Sequence, residues 1–231
     1  MTQSSTNIIK LKDIIASVIS VPALAYALYY IATEFNGSGL TYLDYLRYSV
    51  VLVFAGLGGF QIYIWTQNNN PPNRATPLCF IDRIIPFWPK WVWVYSVLYY
   101  VILYGAVIFV PNDAYFLNLV FGMLILIVLQ GGMFYFIPTV CPGQWRDYKP
   151  NTPSTKFLAE IQKIAYNTNC FPSMHCSIAA YFAAEYWHLS PAIALSAVFL
   201  IGISCLFTKQ HMFVDIPSGI AYGWGMNYLL V

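Results

Sequence analysis

Four stretches in the first 140 residues, about 14–33, 46–66, 91–110 and 115–137, each hold close to twenty consecutive, mostly apolar residues. A helix rising about 1.5 Å per residue needs that length to cross a hydrocarbon layer about 30 Å thick. Inside such a layer no water meets the backbone, so each stretch must satisfy its own N–H and C=O groups, as a helix does. Three shorter apolar segments follow, about 172–188, 191–207 and 211–231. The tally predicts an all-α, polytopic transmembrane helix bundle of six to seven spans, six if 14–33 does not cross. Residues 1–231 read as one integral-membrane domain without internal repeats.

Composition agrees with that class. Hydrophobic residues make up 59% of the chain and charged residues 9%, and mean hydropathy is +0.60. These values exclude a disordered chain and argue against an ordinary soluble domain. The net charge of +2, with no dense basic run, gives no reason to expect a nucleic-acid partner. Five scattered cysteines lack C-x-x-C spacing, which leaves a disulfide framework or zinc site unsupported. Cys176 and Cys205 read as small buried hydrophobes. The run from Ile14 is too long for a signal-peptide core and reads as a spanning helix with Pro22 as a kink.

Between the apolar segments lie distinct connectors. Gln67 to Arg83 is polar, with three asparagines and two prolines in a row, and reads as a loop. The following Ile84–Trp91 segment, rich in proline and tryptophan, suits a membrane–water boundary. The longest polar stretch, Cys141 to Asn169, contains apolar residues at helical spacing near 154–166. That pattern predicts a short helix, either interfacial or packed on the protein.

Chemistry is concentrated in Cys170-Phe171-Pro172-Ser173-Met174-His175 and in Thr208 to Asp215, which hold two of the three histidines. Ionisable groups this scarce at the ends of apolar segments are functional candidates. The span tally puts the 138–171 loop and the 207–211 turn on one face, so the two stretches can meet. His211 and Asp215 are four apart and share a face if helical. The carboxylate can then hold the proton of one imidazole nitrogen and leave the other as a nucleophile. Pro217, just beyond, perturbs that geometry. Pro172-Ser173 reads as a helix start whose unpartnered N–H groups form an anion seat. His175, one turn in, is placed to protonate a departing oxygen. Together the stretches describe phosphoryl transfer. His211 attacks, His175 is the acid, and Ser173, Lys209 and Arg146 surround the phosphate, with Lys149 as rival to Arg146.

Pro172-Ser173-x-His175 and His211-x-x-x-Asp215 resemble the second and third signatures of the type 2 phosphatidic acid phosphatase superfamily (PAP2). The resemblance covers residues 138–231. It implies a covalent phosphohistidine on His211, His175 as acid, Asp215 orienting His211, no metal ion and no cofactor. Three departures stand out. Met174 replaces the usual glycine of the phosphatase form. Thr208-Lys209 lies beside the histidine, where Ser-Arg usually lies well upstream. The first signature is absent as such, Pro138 to Arg146 standing in its place. The pattern is closer to the sphingomyelin and inositol-phosphorylceramide synthase-like branch.

The expected function is a metal-independent lipid phosphate phosphatase acting on a membrane lipid phosphate or diphosphate. Its partners are the lipid substrate and the bilayer. The alternatives are a lipid headgroup phosphotransferase and, in another class, a transport or binding protein whose histidines and Asp215 form a proton or ligand path. The bias of lysines and arginines, ten against Arg47 alone, puts the site in the cytoplasm by the positive-inside rule. The resemblance implies the outer or lumenal face instead.

Overall fold

The computed structural model describes residues 11–35, 39–69 and 78–231, with side chains from Ser20 onward. Part of the Gln67–Arg83 connector, Arg74 included, and Lys10 lie outside the described residues. The described chain is all-α, with no named strand. Its helices are α1 (Leu11–Phe35), α2 (Tyr42–Asn69), α3 (Phe80–Ile84), α4 (Tyr99–Ala106), α5 (Asp113–Phe136), α6 (Pro153–Ile164), α7 (Met174–Ala183), α8 (Pro191–Phe207) and α9 (Asp215–Leu230). Among the described residues three helical stretches are long and apolar enough to cross a membrane: Tyr42–Asn69, Pro89–Phe109 and Asp113–Phe136. Pro22 lies within α1, which stays helical across it.

Where long spans leave the interior, they carry large apolar side chains outward. Phe54, Phe121 and Phe199 are each at least 60% exposed, and Val128 is 54% exposed. Water would penalise such a surface at about 25 cal/mol per Å². The core lies where α7 is surrounded by α4, α5, α8 and α9. Every residue of α7 from Cys176 to Ala183 is buried. That explains its sequence: a helix apolar on all sides is one enclosed by others. It is also short, ten residues followed by a single 3-10 turn to Tyr186.

Glycines let α9 approach α7. A Cβ on Gly219 would meet the Ser173 carbonyl at 2.5 Å, and one on Gly223 would overlap the Ser177 carbonyl. The pair forms a G-x-x-x-G face of the kind that brings two helix backbones together in membranes. At the other junction, α2 and α5 meet through a Tyr48–Phe116 stack with centroids 4.0 Å apart. The Tyr48 hydroxyl donates to Asp113, which also accepts from Arg47, at the end of the bundle opposite the two signature stretches.

The stretch before α4 departs from a plain helix. Pro89–Trp91 is a 3-10 turn, and Val94–Leu98 is a turn of π-helix. The predicted short helix at 154–166 is α6, and it packs on the protein. Leu158 is fully buried, Trp93 Nε1 donates to Ser154 Oγ at 3.0 Å, and Trp93 stacks on Phe157. Its start is capped by Thr152, whose hydroxyl accepts from Thr155 N.

Candidate active site

The two signature stretches meet. Ser173 N donates to the Asp215 carbonyl at 3.1 Å, which ties the start of α7 to the start of α9. Two expectations are corrected here. The helix after the second stretch begins at Asp215, so His211 lies in the preceding turn and shares no helix face with it. The helix of the first stretch begins at Met174, with Ser173 as its N-cap and Pro172 outside it.

His211 is buried, and its Nδ1 has two acceptors: the Cys170 carbonyl at 3.1 Å and Asp215 Oδ2 at 3.4 Å. Two oxygens around one ring nitrogen assign the proton to Nδ1 and leave Nε2 as the lone pair. The carboxylate is itself fixed, since Oδ2 accepts from Met212 N at 2.8 Å. Its Oδ1 is buried without a hydrogen-bond partner among the described residues, so its charge is left to the imidazole. Burial pushes the His211 pKa down, but the hydrogen bond and charge of Asp215 overcome it, and the net shift is upward.

Lys209 occupies a left-handed backbone conformation, φ 55°. The reason is local. Gln210 N donates to the Cys205 carbonyl and Lys209 N to the Leu206 carbonyl, the paired bonds of a Schellman ending for α8 with Lys209 in the seat usually held by glycine. Its side chain is held as well: Nζ donates to the Asp82 carbonyl at 3.0 Å and lies 4.7 Å over the Trp145 ring. Burial lowers the ammonium pKa, and the Asp82 charge opposes that.

The α7 end offers backbone donors. The Ser173 hydroxyl accepts from Cys176 N, and its own N–H is taken by Asp215. This narrows the predicted anion seat to the N–H groups of Met174 and His175, which have no partner among the described residues. The His175 ring lies between two tyrosines, Tyr95 at 3.9 Å and Tyr99 at 4.0 Å, both stacked. Its Nε2 is 2.7 Å from the Tyr95 carbonyl.

Neither of the remaining two candidates is seen directed at the histidines. Arg146 directs Nη1 to the Gln162 and Ala165 carbonyls and so closes the C-terminal end of α6. Lys149 is exposed.

Three residues that sequence reading passed over hold the site. Asp82 accepts from Phe213 N and Cys79 N through its two carboxylate oxygens, while its carbonyl takes Lys209, so it grips the 209–213 turn at both ends. Gln130, fully buried in α5, donates to the Pro172 carbonyl and accepts from the Ser177 hydroxyl, setting the height of α7. Asn169, at φ 56°, donates to Thr66 Oγ1 and the Tyr63 carbonyl of α2. The nearest sequence signal was the rarity of a buried carboxylate or amide in apolar surroundings. Among the described residues no cluster of three His, Cys, Asp or Glu is disposed to hold a metal ion.

A family model described as the PAP2 superfamily matches residues 115–231. The chain belongs to the PAP2 superfamily, and so is an enzyme of the phosphatase or phosphotransferase kind acting on phosphate esters. The matched region runs from α5 to the end of the chain and contains both signature stretches. No curated protein and no solved structure matches this chain.

Proposed function

We propose that this chain is a multi-pass membrane phosphatase that removes phosphate from a lipid phosphate or diphosphate through a phosphohistidine on His211. One observation carries the reading. The imidazole has its Nδ1 proton held by Cys170 and Asp215, so Nε2 is a fixed nucleophile at the mouth where α7 presents its free N–H groups. The in-line reaction needs those parts: a nucleophile on one side, donors and a cation around the equatorial oxygens, and an acid opposite. His211 Nε2 attacks phosphorus, the N–H groups of Met174 and His175 with Lys209 and Ser173 receive the charge, and His175 protonates the leaving oxygen. Arg146 and Lys149 complete the cation set only if a bound phosphate draws them from their present positions. Water entering opposite the phosphohistidine then releases phosphate. Outward-facing Phe54, Phe121 and Phe199 support a bilayer setting, in which the substrate is a lipid.

The test is direct. The purified protein in detergent, given phosphatidic acid or a prenyl diphosphate in excess EDTA, should release inorganic phosphate, and His211→Ala should abolish release. Loss of activity on chelation would sink the histidine mechanism. Formation of diacylglycerol from an intact phospholipid only with an added alcohol would make the enzyme a headgroup transferase. Silence on every lipid class would favour transport.

A further inference from the structure

The π-turn at Val94–Leu98 contains neither proline nor glycine, so its own residues do not explain it. Turns of this type are rare, arise where a side chain intrudes on the regular ladder, and concentrate at functional sites. Against this turn lies the His175 imidazole, whose Nε2 meets the Tyr95 carbonyl at 2.7 Å. The same turn sets the Tyr95 and Tyr99 rings on opposite faces of that imidazole, at interplanar angles of 5° and 20°.

We infer that Tyr95 and Tyr99 are positioning residues for the general acid, clamping His175 so that Nδ1 is its working nitrogen. This rests on reading His175 as the acid. A carbonyl only accepts, so Nε2 carries a proton and donates it to Tyr95, whatever the charge of the ring. The neutral ring therefore presents a lone pair at Nδ1. When a phosphate occupies the site, the second proton sits on Nδ1, and the imidazolium lies between two aromatic faces whose quadrupoles attract a cation. As the His211 Nε2–P bond forms and the P–O ester bond breaks, the electron pair stays with the departing oxygen. The Nδ1 proton passes to it. His175 is left neutral, with Nε2–H still on the Tyr95 carbonyl. Stacking on both faces stops the ring from turning between these states, and neither tyrosine touches the substrate.

The experiment compares two leaving groups. Phosphatidic acid expels an alkoxide and needs the proton, whereas p-nitrophenyl phosphate expels a stable phenolate and does not. kcat/KM is the readout, because it covers the chemistry up to the departure of the leaving group. Tyr95→Leu and Tyr99→Leu should each lower kcat/KM for phosphatidic acid by about 10- to 100-fold, below the full range of about 10²–10⁴ for losing an acid, with p-nitrophenyl phosphate changed less than about 3-fold. Tyr95→Phe and Tyr99→Phe keep the stack and should retain activity. An equal fall on both substrates, or no fall on either, overturns the clamp. His175→Ala separates the two readings. If it shows the leaving-group selectivity and the leucine variants do not, only the clamp fails. If it leaves phosphatidic acid turnover intact, His175 is not the acid and both fail.

Discussion

At the scale of single residues, the site is set by who holds each proton. His211 shares its Nδ1 proton between the Cys170 carbonyl and Asp215, and burial lowers the pKa of the imidazole while the Asp215 carboxylate is the largest influence raising it. In the proposed mechanism His211 attacks as the neutral imidazole, so kcat/KM should rise with pH through a value above the ordinary 6.5 of histidine. Asp215→Asn removes the two largest raising influences, so burial, which pulls the other way, gains weight. The acid limb should then move to lower pH, and the plateau should fall by about 10²-fold, toward the low end of the range for lost orienting carboxylates because the Cys170 carbonyl still fixes the tautomer. A pH–rate profile of the two proteins reads both effects, and an unmoved limb would contradict the assignment. Lys209 gives a second prediction. Its left-handed backbone costs a non-glycine residue about 1 kcal/mol or more. Lys209→Gly relieves that strain while deleting the cation. Thermal stability should hold or rise by a few degrees while kcat/KM falls at least about 10-fold, the scale of one lost charge-assisted hydrogen bond. Loss of stability and activity together would make Lys209 a structural anchor on Asp82 and Trp145.

At the scale of elements, the decisive contact is α7 against α9, because it ties the second signature stretch to Asp215 through the Ser173 N–H. Gly223→Ala puts a methyl group into the Ser177 carbonyl, backbone that cannot step aside. It should destabilise the protein by about 1–3 kcal/mol or more. Gly225→Ala, with open space around it, should stay near neutral in the same thermal unfolding measurement. Much of this level was legible in the sequence. Long apolar runs admit only helices in a bilayer, so α2, α5 and the stretch around α4 were readable by length, and the paired signatures marked the ends of α7 and α9. What could not be read has a common cause. The Cys170 and Tyr95 carbonyls are backbone groups that any residue would carry, so no pattern announces them. Asp82 and Gln130 act on partners 131 and 42 positions away, and only the folded chain makes those pairs. His211 was expected on a helix because the apolar run starts there. The run is continuous, yet the Asp215 side chain captures Met212 N and delays the helix to Asp215.

At the scale of the whole molecule, the bundle has two unlike ends. One gathers the 209–213 turn, Asp82, α6 and both histidines. The other holds Arg47 with Asp44 and Asp113. Helices joining them expose large apolar side chains, and the two signature stretches lie together at one end. A protein built this way has one working side, and the lysine and arginine bias and the family resemblance disagree about which compartment it faces. The structure sharpens that question by supplying reporter positions. Asn151 is exposed beside the site, and Leu189 is exposed in the turn between α7 and α8 at the opposite end. With Cys79 replaced by serine and the other four cysteines buried, Asn151→Cys and Leu189→Cys each give one accessible thiol. In sealed vesicles a membrane-impermeant maleimide should label one of the two from outside, and the other only after permeabilisation. Labelling of both from the same side would mean that the helices between them do not cross the bilayer. Whichever is labelled from the lumen or exterior also fixes the side from which the proposed lipid substrate would present its phosphate, because His211 and Asn151 lie at the same end.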